Sequence, residues 1–108
     1  MNLLCDINKL IKKSIITASS ISQGDKEYIV ISHKNDIFVY LNRCPHLNKT
    51  LNSRPETLLD KHNNFILCAN HNALFTIDQG LCIKGPCKGQ TLQRVAYKIV
   101  GEQLLINS

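Results

Sequence analysis

Apolar residues along this chain occur in short segments separated by polar turns, a pattern typical of strands rather than of long helices. Residues 28–31 and 37–41 are rich in β-branched and aromatic side chains. The polar residues 33–36 between them predict a tight turn. Together these segments predict a β-hairpin.

A second pair of apolar segments surrounds a short polar stretch in the second half of the chain. Residues 65–67 predict a short buried strand that ends at Cys68, and residues 74–77 predict the strand that leads away towards a turn at 78–80. The residues between these two strands are therefore expected at the tip of a hairpin.

The ends of the chain complete the expected fold. Residues 95–99 and 103–106 flank a Gly-Glu pair suited to a type II′ turn, which predicts a closing hairpin. Residues 7–16 predict a short turn followed by a strand. Many short strands with frequent turns favour an all-β fold, a small antiparallel β-sandwich or barrel. We expect a single domain over residues 1–108, because no linker or repeat divides the chain.

Composition narrows the class of protein. The chain has 108 residues, 44% of them apolar, which is ordinary for a globular domain. It contains no apolar run near the ~20 residues that span a bilayer. The first residues lack the pattern of a secretory signal, so a cytoplasmic location and no membrane association are expected. Lysines are dispersed and no aromatic platform accompanies them, which argues against nucleic-acid binding.

Two short Cys/His pairs carry the candidate chemistry. They read Cys44-Pro45-His46 and Cys68-Ala69-Asn70-His71. Each pair combines a soft sulfur donor with an imidazole nitrogen, whereas a mononuclear zinc site more often groups like ligands in each arm. The mixed pairs therefore point to two different metal environments.

With their flanking residues, these pairs resemble the Rieske-type 2Fe-2S proteins. Residues 42–51, NRCPHLNKTL, are similar to the family's N-x-C-P-H-x-G-x-x-L loop, and residues 68–75, CANHNALF, to its C-P-x-H-G-x-x-F loop. Residues 80–87, GLCIKGPC, are similar to the third loop, whose proline covers the cluster. The chain departs from the pattern at Asn48 and Asn72, which replace glycine, and at Ala69, which replaces a common proline.

The resemblance implies one 2Fe-2S cluster of Rieske type, bound within residues 42–89. Cys44 and Cys68 would ligate one iron, and His46 and His71 the other. Neutral histidine ligands place such clusters between about −150 and +300 mV. High-potential members carry serine two residues, and tyrosine four residues, after the second histidine. This chain has Ala73 and Phe75 there, which cannot donate hydrogen bonds, so the low-potential, ferredoxin-like end is expected.

Three cysteines and two histidines remain outside the four predicted ligands. Cys82 and Cys87 could be a redox pair or cluster ligands, but packing as small buried side chains is favoured. Cys5 has the same interpretation. His33 and His62 are expected in solvated turns, too few for the mononuclear iron site of an oxygenase.

Charge and motifs together predict the function. Net charge is +5, and several basic residues fall in or beside the three loops, against Glu56 and Asp78: Arg43, Lys49, Arg54, Lys84 and Lys88. We expect a monomeric one-electron carrier, not itself an enzyme, that accepts electrons from a reductase and donates them to an oxygenase or another redox enzyme through an acidic partner surface. Two alternatives stay open: a Rieske subunit of a larger oxidoreductase, such as the small subunit of a nitrite reductase, and a structural zinc-binding module.

Overall fold

The computed structural model describes residues 2–12, 15–19, 27–43, 58–60, 64–68 and 73–106. In these ranges the chain forms nine strands and one single-turn helix. The elements are β1 (Asn2–Asp6), α1 (Lys9–Lys12), β2 (Ile15–Ser19), β3 (Glu27–His33), β4 (Asp36–Leu41), β5 (Phe65–Cys68), β6 (Ala73–Thr76), β7 (Cys82–Lys84), β8 (Tyr97–Val100) and β9 (Gln103–Ile106).

Every named strand belongs to one of three antiparallel sheets, with strand orders β1-β9-β8, β2-β3-β4 and β5-β6-β7. The all-β antiparallel prediction is confirmed. Among the described residues, no helix is long and apolar enough to cross a membrane.

Strand β3 lies between two hydrophobic cores. Successive side chains of a strand point to opposite faces. Tyr28 and Val30 pack in one core with residues of β1 and β9, while Ile29 and Ile31 pack in the other with residues of β5 and β6. This strand is therefore apolar on both faces, and the sheet β2-β3-β4 separates the two cores.

The two predicted hairpin turns are confirmed in detail. Strands β3 and β4 are joined by Lys34 and Asn35, whose φ angles of 51° and 67° suit a two-residue type I′ turn. Strands β8 and β9 are joined through Gly101, whose φ of 61° suits the first central position of a type II′ turn. The one-turn helix α1 followed by β2 likewise confirms the expected turn and strand in residues 7–16.

Two strands of the structure were not predicted, and a third begins later than predicted. Strand β1 was not predicted, because its apolar residues gain a partner only through pairing with β9 at the other end of the chain. Strand β7 forms inside the third loop, where it pairs with β6. Strand β8 begins at Tyr97 rather than at Val95, whose amide instead donates to the Val39 carbonyl at 2.9 Å.

A buried tyrosine joins the central sheet to the sheet β5-β6-β7. The Tyr40 hydroxyl donates a hydrogen bond to the Ile77 carbonyl in the turn after β6. Gly80 closes that turn with a φ of 67°, and a Cβ there would lie 2.8 Å from the Tyr40 ring. Leu92 donates from its amide to the Gly80 carbonyl at 2.9 Å. Glycine is thus required where the turn passes the ring.

Candidate metal centre

Cys68 is the predicted ligand that lies within the described residues. It is the last residue of β5, it is fully buried, and it pairs in register with Ala73, the first residue of β6. Cys44, His46 and His71 lie outside the described residues. In the described part of the chain, no three His, Cys, Asp or Glu side chains come together as a metal site.

The alternation of side chains in the sheet β5-β6-β7 explains where Cys68 points. Paired residues of adjacent strands share a face of the sheet, and next-nearest residues along a strand share it too. Five residues on one face are almost fully buried: Ile66, Cys68, Ala73, Phe75 and Cys82. The Cys68 thiol therefore lies on the core side of the sheet, at the end where β5 and β6 open into the second loop.

The first loop is anchored just before Cys44. Asn42 is buried; its amide donates to the Glu27 carbonyl at 2.8 Å and its Nδ2 donates to Glu27 Oε1 at 3.0 Å. The Arg43 amide donates to the Leu41 carbonyl at 2.8 Å. These contacts fix both the main chain and the side chain at the point where the chain leaves β4.

The third loop packs directly on the base of the second. Gly85 has a φ of 108°, and a Cβ placed on it would lie 2.9 Å from both Cα and Cβ of Ala73. Such a distance is shorter than ordinary packing allows, so the approach requires glycine at 85. Sequence reasoning placed the two residues in separate loops and did not predict this contact; the Gly-Pro pair is the signal that marks the turn.

Charge is distributed unevenly between the two ends of this sheet. Arg43, Lys84 and Lys88 are exposed beside the loops. Asp78, expected beside them, instead lies past the opposite end of β6. The three residue steps from Phe65 to Cys68 alone separate the two ends of the sheet by about 10 Å. This distance is about one Debye length at 0.1 M salt, so charges at the two ends are largely screened from each other. The loop end of the described structure is therefore more basic than the sequence alone predicts.

The remaining cysteines are buried, as the packing interpretation predicts. Cys5 lies in the core between the sheets β1-β9-β8 and β2-β3-β4. Burial raises the pKa of its thiol, with the Lys9 charge opposing and the Asp6 charge adding to the shift. Cys82 and Cys87 lie in the core beneath the sheet β5-β6-β7. None of the three is an exposed thiol.

His33 differs from its prediction. It is the last residue of β3, it is half-buried, and it lines a cavity of about 290 Å³ together with Asp36, Phe65 and Asp78. This cavity lies where β5 begins and β6 ends, so it is at the opposite end of the sheet from Cys68. His62 lies outside the described residues.

The described residues define a small all-β protein in which the third loop packs beside Ala73, the register partner of the buried Cys68. The profile of the Rieske [2Fe-2S] domain family matches residues 4–104. The chain belongs to this family, whose cofactor is a 2Fe-2S cluster. The donor chemistry of the tip fits such a group, because thiolate is a usual ligand of iron in these clusters.

Solved structures show the same fold at low sequence identity. The ferredoxin of carbazole 1,9a-dioxygenase from Nocardioides aromaticivorans IC177 has 15% identity and a TM-score of 0.72, over 96% of this chain and 93% of that one. The plasma membrane Rieske protein of Synechocystis PCC 6803 has 20% identity and a TM-score of 0.73, over 100% and 99%. A putative nitrite reductase small subunit has 12% identity and a TM-score of 0.67, over 98% and 96%. No curated protein sequence matches the chain.

Proposed function

We propose that this protein is a one-electron carrier that donates to an oxygenase or another redox enzyme. Cys44 and Cys68 hold one iron of its cluster and His46 and His71 hold the other. The observation that carries this proposal is the buried Cys68 at the tip of β5, with the third loop packed on its register partner Ala73. When bound, the cluster accepts and releases one electron at a time.

Chain length supports the proposed convergence of the first two loops. Tyr40 lies beside Ile77 and Gly80, at the far end of β6 from Ala73. Cys44 follows Tyr40 by four positions, and Ile77 follows Ala73 by four positions. Each stretch spans about 13 Å when extended. This length is an upper limit for the distance from Tyr40 to Cys44, because the hydrogen bond from Arg43 to Leu41 bends the chain at Asn42. The limit is compatible with Cys44 at the level of Ala73 and Cys68.

The protein's own contribution is to shape and close the tip. Gly85 seals the third loop against Ala73, which limits water beside the buried Cys68. Ala73 and Phe75 face the same side of the sheet but bring no hydroxyl. Because hydroxyl donors near the ligand atoms raise the potential of such clusters, the lack of a hydroxyl at residues 73 and 75 supports a potential at the lower end of the Rieske range.

Metal analysis and spectroscopy test the ligand assignment. Anaerobically purified protein should contain iron and acid-labile sulfide in equal amounts, and its reduced form should show the lowered average g value of mixed imidazole and thiolate ligation. The double variant His46→Cys, His71→Cys should assemble, if at all, a cluster of lower potential, because two negative charges are added. Colourless protein with stoichiometric zinc and no iron would establish the structural zinc module instead.

An acidic partner surface is part of the proposal. Lys84 pairs with Leu74 next to the tip and is exposed, as is Lys88. Reversing their charge by Lys84→Glu and Lys88→Glu should slow electron transfer to the acceptor several-fold at low ionic strength, with the effect shrinking as salt rises. Lys34→Glu is the matched control, since Lys34 is exposed in the β3–β4 turn. Equal slowing by all three variants would contradict docking at the loop end.

We also propose a monomeric, single-domain protein over residues 1–108 with a cytoplasmic location. Gel filtration, limited proteolysis and cell fractionation test these three points.

A second candidate, a Rieske subunit of a larger oxidoreductase, is favoured by one observation: Leu3, Ile99 and Val100 are 49%, 39% and 50% exposed on the outer strands β1 and β8. Co-purification with a large partner, lost in Val100→Asp, would support the subunit over the free carrier.

A further inference from the structure

Two buried cysteines of the third loop lie close enough to react with each other. The sulfur atoms of Cys82 and Cys87 are 2.8 Å apart, and 1% and 0% of the two residues are exposed. A disulfide bond is about 2.05 Å long, so the sulfurs need to approach by less than an ångström. We propose that Cys82 and Cys87 form a reversible dithiol–disulfide pair, oxidised by hydrogen peroxide and reduced again by a dithiol.

The backbone, rather than the sulfurs, brings the two cysteines together. The Cys82 amide donates to the Gln90 carbonyl at 2.8 Å, and the Gly89 amide donates to the Cys82 carbonyl at 3.0 Å. The Gln90 amide also donates to the Cys87 carbonyl at 2.8 Å. These hydrogen bonds close the loop whether or not the sulfurs are bonded. Oxidation therefore needs a small side-chain adjustment and no refolding of the loop.

The covering layer over the sulfurs is thin. Residues 83–86, which connect the two cysteines, are all exposed. The proposed reaction requires local opening of this stretch to admit hydrogen peroxide to the buried sulfurs. The Cys82 thiol also lies 3.3 Å from the Lys84 carbonyl, which holds its sulfur in place next to Cys87.

The reaction balances with peroxide as the two-electron oxidant. One thiolate attacks a peroxide oxygen, the O–O bond breaks, and a sulfenic acid forms as hydroxide leaves and takes up a proton. The second thiol sulfur attacks the sulfenic sulfur, the S–S bond forms, and the S–O bond breaks with loss of water. In sum, two thiols and one hydrogen peroxide give one disulfide and two waters. A dithiol reverses the oxidation by thiol–disulfide exchange.

The pair's position couples it to the loop end of the sheet. Cys82 pairs in register with Phe75, and the loop that it starts reaches Ala73 through Gly85. A covalent bond here ties the two ends of the segment that packs on the second loop. Among the described cysteines, none shares a core with Cys5, since Cys68, Cys82 and Cys87 all lie in the other one. The inference goes beyond the proposed electron transfer and does not depend on it.

Counting thiols in the holoprotein tests the proposal. Protein prepared under reducing conditions is treated with a few equivalents of hydrogen peroxide and quenched in acid. It is then alkylated in denaturant, and the mass of the alkylated chain is measured by mass spectrometry. Cluster absorbance is followed to the moment of quenching. The chain has five cysteines, so the reduced sample should take up five alkyl groups. The oxidised sample should take up two fewer, its mass before alkylation should fall by two hydrogens, and peptide mapping should link residues 82 and 87.

Variants and reversal separate this pair from other thiol chemistry. Cys82→Ser and Cys87→Ser should each take up the same number of alkyl groups before and after peroxide, whereas Cys5→Ser should take up two fewer after peroxide. Dithiothreitol added before alkylation should restore the lost groups in the wild-type protein. Unchanged alkylation in the wild type would overturn the proposal. So would a bond mapped to any other cysteine, or a gain of oxygen that dithiothreitol does not reverse. None of these results depends on whether the protein passes electrons to an oxygenase.

Discussion

Replacing Gly85 by alanine tests the contact that closes the tip of the sheet. The new Cβ lies 2.9 Å from Cα and Cβ of Ala73, so either the third loop or the start of β6 must move. Two costs add: a positive φ for a residue with a side chain, about 1–2 kcal/mol, and overpacking, typically 1–3 kcal/mol. Gly85→Ala should therefore destabilise the protein by about 2–5 kcal/mol.

A matched glycine in the same loop isolates the steric part. Gly89 has a φ of 91°, but a Cβ there meets no atom within 4 Å. Gly89→Ala thus carries the backbone cost without the clash. Melting of the holoproteins by circular dichroism at one scan rate should show Gly85→Ala melting lower than Gly89→Ala. At about 4–8 °C per kcal/mol for a domain of this size, the difference should be at least 4 °C.

A compensating variant completes the test. Ala73→Gly removes the methyl group that the new Cβ meets but leaves the Cα that lies at the same 2.9 Å. The double variant Gly85→Ala, Ala73→Gly should therefore recover part of the loss, with a coupling energy of about 0.5–3 kcal/mol. The single variant Ala73→Gly supplies the reference, because glycine in a strand costs about 0.5–1 kcal/mol by itself. If Gly85→Ala melts no lower than Gly89→Ala, the third loop does not rest on Ala73 and the proposed sealing of the tip is wrong.

Three further predictions follow from buried groups. Burial raises the pKa of Tyr40 to about 12, against an ordinary value near 10. Between these values Tyr40 ionises only in the unfolded chain, so its contribution to the free energy of unfolding should be constant below pH 10 and fall by about 2–3 kcal/mol up to pH 12. Tyr40→Phe should lack this fall in alkaline denaturation and should cost about 1–3 kcal/mol at neutral pH, because it leaves the Ile77 carbonyl without its donor. The double variant Ala73→Ser, Phe75→Tyr should raise the midpoint potential of the cluster in a redox titration. Phe38→Tyr is the control, because Phe38 lies outside the sheet β5-β6-β7. An unchanged potential in the double variant would mean that other hydrogen bonds set it.

Local signals in the sequence were enough to predict most individual elements. The β3–β4 and β8–β9 hairpins follow from turn residues that tolerate positive φ, Asn35 and Gly101, between β-branched strands. Strands β5 and β6 follow from short apolar runs on either side of a short polar stretch. The two Cys/His pairs with their flanking residues were sufficient to predict the family, because ligand spacing is a local property that the chain keeps whatever surrounds it.

Long-range contacts could not be predicted in this way. The pairing of β1 with β9 joins the two ends of the chain, and the burial of β3 on both faces arises only when three sheets stack. Distance along the sequence likewise placed Asp78 beside the loops, whereas in the structure the length of β6 separates Asp78 from the second loop. The approach of Gly85 to Ala73 and of Cys82 to Cys87 depends on how the third loop folds back on the sheet.

Spacing and side-chain chemistry along the chain therefore determined which residues can bind iron and where the chain can turn. Only the tertiary structure decided which end of the sheet carries positive charge, which glycine has no room for a side chain, and which two thiols meet. The physical reason is that turn preference and ligand identity belong to neighbouring residues, whereas burial, packing and the distance between sulfurs depend on segments that become neighbours only after folding.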